Sequence, residues 1–253
     1  MFITLNDGKK LEFKQEVTVA AIAERISESL KRNAVCGKVN GKLVDLSQVI
    51  NEDASVEIFT LKDKEGMNVF RHTCAHVLAQ AVKSIFPTCR LAIGPVIENG
   101  FYYDFDFTTP VTQADLAKIE QEMKKIIKSD LPIERFEISR KEAIKIFKGF
   151  KETYKLELAE DIPDGEPISI YKQGAFVDLC KGPHLPSTGK IKAFKLTSIT
   201  GAYWRGNENN KMLTRIYGTA FPKKAELEDY LVALEEAKKR DHNKLGRELG
   251  LFM

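Results

Sequence analysis

Cysteine is scarce in this chain: Cys36, Cys74, Cys89 and Cys180 are the only four, and no two form a CxxC pair. That is too sparse for a disulfide scaffold. Long apolar runs are missing as well, since none approaches the roughly 18 uninterrupted apolar residues needed to cross a bilayer. The N-terminus, MFITLNDGKK, meets charge by Asp7 and lacks the apolar core of a signal peptide. Neither sign of charge dominates. The formal net charge is +3, so nucleic-acid binding has to be argued from local clusters. Internal repeats and low-complexity tracts are absent too. What is left is a soluble protein with reduced thiols, placed in the cytosol and without a membrane partner. What is present is apolar material: 43% of 253 residues suffices for well-packed cores in one large or two modest domains.

Residues 1–61 read as a compact unit. FITL and KLEF flank Asn6-Asp7-Gly8, a hairpin signal. Thr18 is placed to cap a helix over Val19–Lys31, where Ile22, Ile26 and Leu30 recur on one face. AVCGKVNGKLVDL supplies strand, Asn40-Gly41 turn and strand, and ASVEIFT a last strand, which suggests a small α+β fold of the ubiquitin-like type. The polar LKDKEG, ending in glycine, reads as a junction. A longer α+β region follows, opening with an apolar helix over residues 67–86 that stops before Pro87. Strands are expected in RLAIGPVI, GFYYDFDF, PISIYK, AFVDL, AFKLTSIT and KMLTRIYG. Thr112 with Asp115, and Ser139 with Glu142, look like capping boxes opening amphipathic helices. From Pro222 a charged helix follows, with Leu227, Leu231 and Leu234 as its stripe.

Chemistry concentrates in two short clusters. FRHTCAH sets His72 and His76 four residues apart, on one helix face, with Cys74 pointing into the core. DLCKGPH sets Cys180 and His184 at the same spacing, but Gly182 and Pro183 argue for a turn. A turn after the AFVDL strand could aim both at the helix. Three of the four histidines in the chain therefore sit in these clusters. One cysteine and three histidines could bind zinc tetrahedrally. They could equally form a metal-free pocket for proton transfer, and two core histidines beside an unrelated loop is the plainest alternative. Asp178 alternates onto the face of Cys180, where a carboxylate could hold a cationic group or orient a histidine.

The stretches FRHTCAHVLAQAV, IGPVIENGFYYDFD, VDLCKGPHLPSTG, FKLTSITGAYWRGNENNKMLTRIYGTAF and KRDHNKLGRELGLF together resemble the N-terminal half of bacterial threonyl-tRNA synthetases, in order and over essentially the whole chain. HxxxH and CxxxH also occur in the editing domain of alanyl-tRNA synthetases, whereas GAYWRGNENNKMLTRIYGTAF is much more specific to the threonyl family. The resemblance implies an α+β chain: a ubiquitin-like β-grasp (TGS) domain over 1–61, a larger α+β editing domain over 62–223, a connector helix over 224–242 and the entrance to a class II catalytic domain over 243–253. It further implies that the chain is a fragment, and that a missing core carries ligation with ATP, magnesium and zinc.

For the residues present, the resemblance implies hydrolysis of serine esterified to the 3′-terminal adenosine of tRNA(Thr). Serine is threonine without a methyl group, and a missing methyl is worth only about 1–3 kcal/mol of discrimination, so a second site must remove the error. The residues carried over are His72, His76, Lys155, Asp178, Cys180 and His184 for catalysis. Tyr103, Asp178 and Lys155 are carried over for substrate, with His72 first choice to position or activate water. Tyr103 is preferred to Tyr102, which alternation points elsewhere. No cofactor is implied for editing, with zinc on His72, His76, Cys180 and His184 as the alternative. Arg205, Lys211, Arg215, Lys238, Lys239 and Arg240, with Lys223 and Lys224, could line the tRNA acceptor arm, and Trp204 could stack on a base or pack in the core. A fragment of this kind is expected to be a monomer, and the full-length enzyme a homodimer. A binding module without chemistry of its own is the competing reading.

Overall fold

A computed structural model describes residues 1–163 and 165–239, apart from the side chain of Lys238. The chain opens with β1 (Phe2–Leu5), β2 (Lys10–Glu12), β3 (Val17–Thr18), α1 (Val19–Ile26), α2 (Glu28–Asn33), β4 (Ala34–Val39), β5 (Lys42–Val44), β6 (Val49–Ile50) and β7 (Ala54–Thr60). Its main sheet runs β2-β1-β7-β4-β5. β1 and β7 pair in parallel at the centre, with Ile3 opposite Ala54, between antiparallel partners on both sides. Ile3, Val19, Ile22 and Val56 are fully buried between sheet and α1. Asn40 and Gly41 both take positive φ (48° and 83°), the pattern of a type I′ hairpin turn.

Thr18 caps α1, its hydroxyl accepting the Ala21 amide at 3.2 Å. The single helix expected over Val19–Lys31 is in fact two. Ser27 is extended (φ −169°, ψ 150°), and its hydroxyl accepts the Leu30 amide at 3.1 Å. It caps α2 rather than continuing α1.

β7 runs almost directly into α3 (Lys64–Ile85), which starts ahead of the expected residue 67. The Asp63 carboxylate ties the corner by accepting the Thr60 amide at 2.7 Å and hydroxyl at 3.0 Å. A Cβ on Gly66 would come 2.0 Å from the Thr60 carbonyl oxygen, so glycine permits the helix to lie against β7. The LKDKEG junction is a packed corner.

Beyond α3 come β8 (Arg90–Leu91), β9 (Val96–Ile97), β10 (Gly100–Asp106), α4 (Leu116–Lys128), β11 (Ile133–Ile138), α5 (Arg140–Gly149), α6 (Thr153–Glu160), β12 (Ile168–Gln173), β13 (Phe176–Leu179), β14 (Ala193–Tyr203), β15 (Met212–Phe221) and α7 (Lys224–Lys239). Both expected capping boxes are present. One antiparallel sheet runs β14-β15-β10-β8, with β9 also on β10, and a second runs β11-β12-β13. Phe70 and Leu78 of α3, Phe101 and Phe105 of β10, and Ile119 and Met123 of α4 are fully buried in one core. Val35 and Cys36 of β4 belong to that same core. Among the described residues no helix is long and apolar enough to cross a membrane.

Candidate active site

α3 carries His72 and His76 on one face, while Cys74 points away and is fully buried. β13 delivers Asp178, and the turn after it delivers Cys180 and His184. Gly182 makes that turn possible. Its φ is +68°, and a Cβ there would come 1.8 Å from the Tyr171 hydroxyl oxygen. The two clusters converge: Cys180 Sγ lies 3.4 Å from Nε2 of His72 and 3.4 Å from Nε2 of His184. The rings of His76 and His184 are 4.0 Å apart at their centroids.

Sequence reasoning passes over Thr73, which orients this group. Its hydroxyl donates to the Val69 carbonyl at 2.8 Å and accepts the Leu185 amide at 3.0 Å. A hydroxyl has one proton to give, so the 3.3 Å contact with His184 Nδ1 is an N–H donated by the ring. His184 is thereby assigned the Nδ1–H tautomer, with a lone pair on Nε2 facing Cys180. The available signal was a hydroxyl residue between two histidines in the buried stretch of the helix.

Burial governs the protonation states here. It lowers the pKa of His72 to about 4 and of His76 to about 3, the neighbouring Asp178 opposing only in part. It lowers that of His184 well below 6.5, helped by the other two rings. At neutral pH all three imidazoles are uncharged, each with one N–H and one lone-pair nitrogen. Burial also pushes the Cys180 thiol up to about 12, although the Gly182 amide donates to its sulfur at 3.2 Å. Cys180 is a thiol, a poor nucleophile.

A buried ion pair adjoins the imidazoles. Lys155 reaches from α6 to Asp178 Oδ1 at 2.6 Å, Tyr103 donates from β10 to Oδ2 at 2.7 Å, and His76 Nε2 lies 3.6 Å from Oδ2. Asp178 is 1% exposed and Lys155 3%. Burial by itself would raise the Asp178 pKa. The Lys155 charge, His76 and the hydrogen bonds from Lys155 and Tyr103 outweigh it and hold the carboxyl below its ordinary 3.8. Gly94 leaves room for the Tyr103 ring, since a Cβ there would come 2.3 Å from it. Tyr102 faces away, stacked under the Arg215 guanidinium at 3.8 Å. Of the expected catalytic residues only His72 and Cys180 are partly exposed, so a small molecule would enter past these two.

The conspicuous GAYWRGNENN stretch supports the site from behind. Trp204 is 6% exposed, so of the two expected roles core packing is the one it takes. Its ring meets Tyr154 of α6 at 5.0 Å, and its indole N–H donates to Glu157 of α6 at 2.9 Å. Both contacts fix the helix that carries Lys155. Five of the basic residues expected on tRNA already face carboxylates. Arg205 pairs with Asp161 at 2.6 Å, Lys211 with Asp106 at 2.7 Å, and Arg215 with Asp104 at 2.7 Å. A phosphate contact through any of them would compete with a protein partner. Lys223 and Lys224 face Glu226 and Glu228 at 3.6 and 3.3 Å. Lys239 is exposed on α7, while the Lys238 side chain and Arg240 lie outside the described residues.

Two family models match parts of the chain. The TGS domain matches residues 1–60, and the threonyl and alanyl tRNA synthetase second additional domain matches residues 168–217, the span that holds Asp178, Cys180 and His184. Along its whole length the chain is similar to the N-terminal part of bacterial threonyl-tRNA synthetases. It is 60% identical over 252 residues to the threonine–tRNA ligase of Caldanaerobacter subterraneus subsp. tengcongensis, which covers 100% of the chain and 39% of the relative. It is 60% identical over 250 residues to that of Clostridium novyi (99% and 39%) and 59% identical over 251 residues to that of Clostridioides difficile (99% and 39%). The chain thus spans 39% of the length of these relatives.

Proposed function

We propose that this chain hydrolyses the ester joining serine to the 3′-terminal adenosine of tRNA(Thr), the editing step that accompanies threonine ligation. The observation that carries the reading is the buried Asp178–Lys155 pair, with the Tyr103 hydroxyl, set against three neutral imidazoles. A seryl ester requires a counter-charge for its α-ammonium, a donor for the oxygen that gains charge, and an acceptor for the attacking water. In this proposal Asp178 takes the ammonium. Lys155, released from the carboxylate, turns its charge to the developing oxyanion or a ribose oxygen. His72 positions the water through a neutral ring nitrogen, together with a ribose hydroxyl. His76 and His184 hold Asp178 and Cys180 in place, and the Tyr103 ring forms a wall. A thioester through Cys180 is disfavoured, because its thiol is far from ionised.

The proposal divides the chain as a TGS domain over 1–61, an editing domain over 62–223, a connector over 224–242 and the start of a catalytic domain over 243–253. Ligation of threonine, with ATP, magnesium and zinc, would belong to the rest of a longer cytoplasmic, homodimeric enzyme. The chain alone would be monomeric.

Single-turnover deacylation of Ser-tRNA(Thr) and Thr-tRNA(Thr), with and without EDTA, tests the reading. Loss of serine with threonine spared, unaffected by EDTA, is expected. Failure to hydrolyse either where binding is demonstrated would leave a tRNA-binding module.

One observation favours a second reading. The ligand atoms of His72, His76, Cys180 and His184 all lie within 4.8 Å of one another. A tetrahedral zinc with bonds of about 2.0–2.3 Å needs ligand separations somewhat shorter than that, and the two 3.4 Å sulfur–nitrogen distances already match. These four residues would hold the ion; four protein ligands fill a tetrahedral zinc, so one of them would have to give way for the ion to supply Lewis-acid activation of a water. Stoichiometric zinc in the purified chain, with EDTA-sensitive hydrolysis, would establish it.

A further inference from the structure

The N-terminal β-grasp unit reaches into the candidate site through the side chain of Asp45. Asp45 follows β5, far from the histidine clusters in sequence. Its Oδ1 accepts the backbone N–H of His184 at 2.8 Å, and its Oδ2 accepts the Tyr171 hydroxyl at 2.7 Å. Tyr171 in turn packs its ring on that of His184 in a T-shaped contact, 4.5 Å between centroids, and its hydroxyl fills the space that a side chain at Gly182 would need. Thr73 accepts the next amide, that of Leu185. Two consecutive amides are therefore pinned, one by α3 and one by the β-grasp unit.

We infer that Asp45 is a positioning residue of the site, fixing the turn that aims Cys180 and His184 at His72. The inference rests on the deacylase reading above and gives the β-grasp unit a role in it. Mere attachment of the two parts does not require this carboxylate, since Val35 and Cys36 already share the apolar core with α3. Both of its donors instead act on His184, one through the backbone and one through the ring that packs on it.

The test compares the whole chain with Asp45→Ala, Asp45→Asn and Tyr171→Phe. Asp53→Ala serves as a control, because Asp53 accepts the Phe2 amide at 2.7 Å within the β-grasp unit itself. Single-turnover deacylation of Ser-tRNA(Thr) is read as a function of protein concentration, and hydrogen exchange at the His184 amide is followed separately. Asp45→Ala should lower the saturating rate on the order of tenfold to a hundredfold, as a small misplacement of reacting groups does. The half-saturating concentration should not move, and the His184 amide should exchange faster. Asp45→Asn, which keeps an acceptor oxygen, should recover part of the rate, and Tyr171→Phe should lose less than Asp45→Ala. Asp53→Ala should match the parent in rate and exchange. Parental rate and exchange in Asp45→Ala would overturn the inference. So would equal losses in Asp45→Ala, Asp45→Asn and Asp53→Ala that follow their melting temperatures. If the parent chain does not deacylate, the deacylase reading fails by itself, and exchange at His184 still decides whether Asp45 holds the turn.

Discussion

Lys155 and Asp178 are 3% and 1% exposed and form a buried ion pair. Removing one leaves the other buried without its ionic partner, which costs about 3–5 kcal/mol. Lys155→Met should therefore destabilise the chain by that order in urea unfolding. The double variant Lys155→Met/Asp178→Asn should recover much of the loss, and strict additivity would contradict the pairing. The histidines set a pH dependence of known sign. Their folded pKa values, about 4 for His72 and about 3 for His76, lie below the ordinary 6.5, so the unfolded chain takes up protons first. Stability is full above 6.5 and declines towards 4, by up to about 1.4 kcal/mol per pH unit for each such histidine. Urea midpoints at matched ionic strength should fall between neutral and mildly acidic buffer, and a flat profile would mean the rings are not buried neutral. By the same protonation states, deacylation should be independent of His72 titration near neutrality. Residue types and spacing announced His72, His76, Cys180 and His184. Thr73 and Asp45 were silent because a hydroxyl or carboxylate shows its partner only once the backbone is folded.

Among the elements, the turn from Cys180 to His184 is the most tightly specified. Gly182 has φ +68°, and an added Cβ would meet the Tyr171 hydroxyl at 1.8 Å. Gly182→Ala should therefore displace the turn, lowering deacylation at least tenfold, about 1.4 kcal/mol in barrier, with loss of thermal stability as well. Gly41 offers a contrast: its φ is +83° with nothing near its Cβ, so Gly41→Ala should touch stability alone. An alanine at Gly182 that preserves activity would remove this turn from the mechanism. Elements with strong local signals were legible: the capped helices, the Asn40-Gly41 hairpin and the aromatic strand β10. The break at Ser27 was not, because Ile22, Ile26 and Leu30 keep a helical period across it and only the cap hydrogen bond reveals two helices.

At the scale of the whole molecule, the apolar interior runs without interruption from Val35 and Cys36 of β4 into α3 and the sheet behind it. Gly66 brings backbone against backbone at the same seam. Shared burial of this kind couples parts that a domain list would separate. Trp204 fluorescence, which reports the second part, and exchange at amides of β1, which reports the first, should give coincident urea midpoints. Separated midpoints would show that the β-grasp unit unfolds independently. The sequence suggested a junction at LKDKEG because polar residues and a glycine usually mark one, and the contact that closes it depends on a partner strand that composition does not disclose. The His184–Asp45 hydrogen bond spans 139 residues of chain, and that distance has a meaning in time as well as in space. During synthesis the β-grasp unit and the histidine face of α3 leave the ribosome long before the strand and turn that cover them. The nascent protein carries an acceptor and two imidazoles awaiting a partner still to be made, and the site comes into being as one late event, when the turn closes on both.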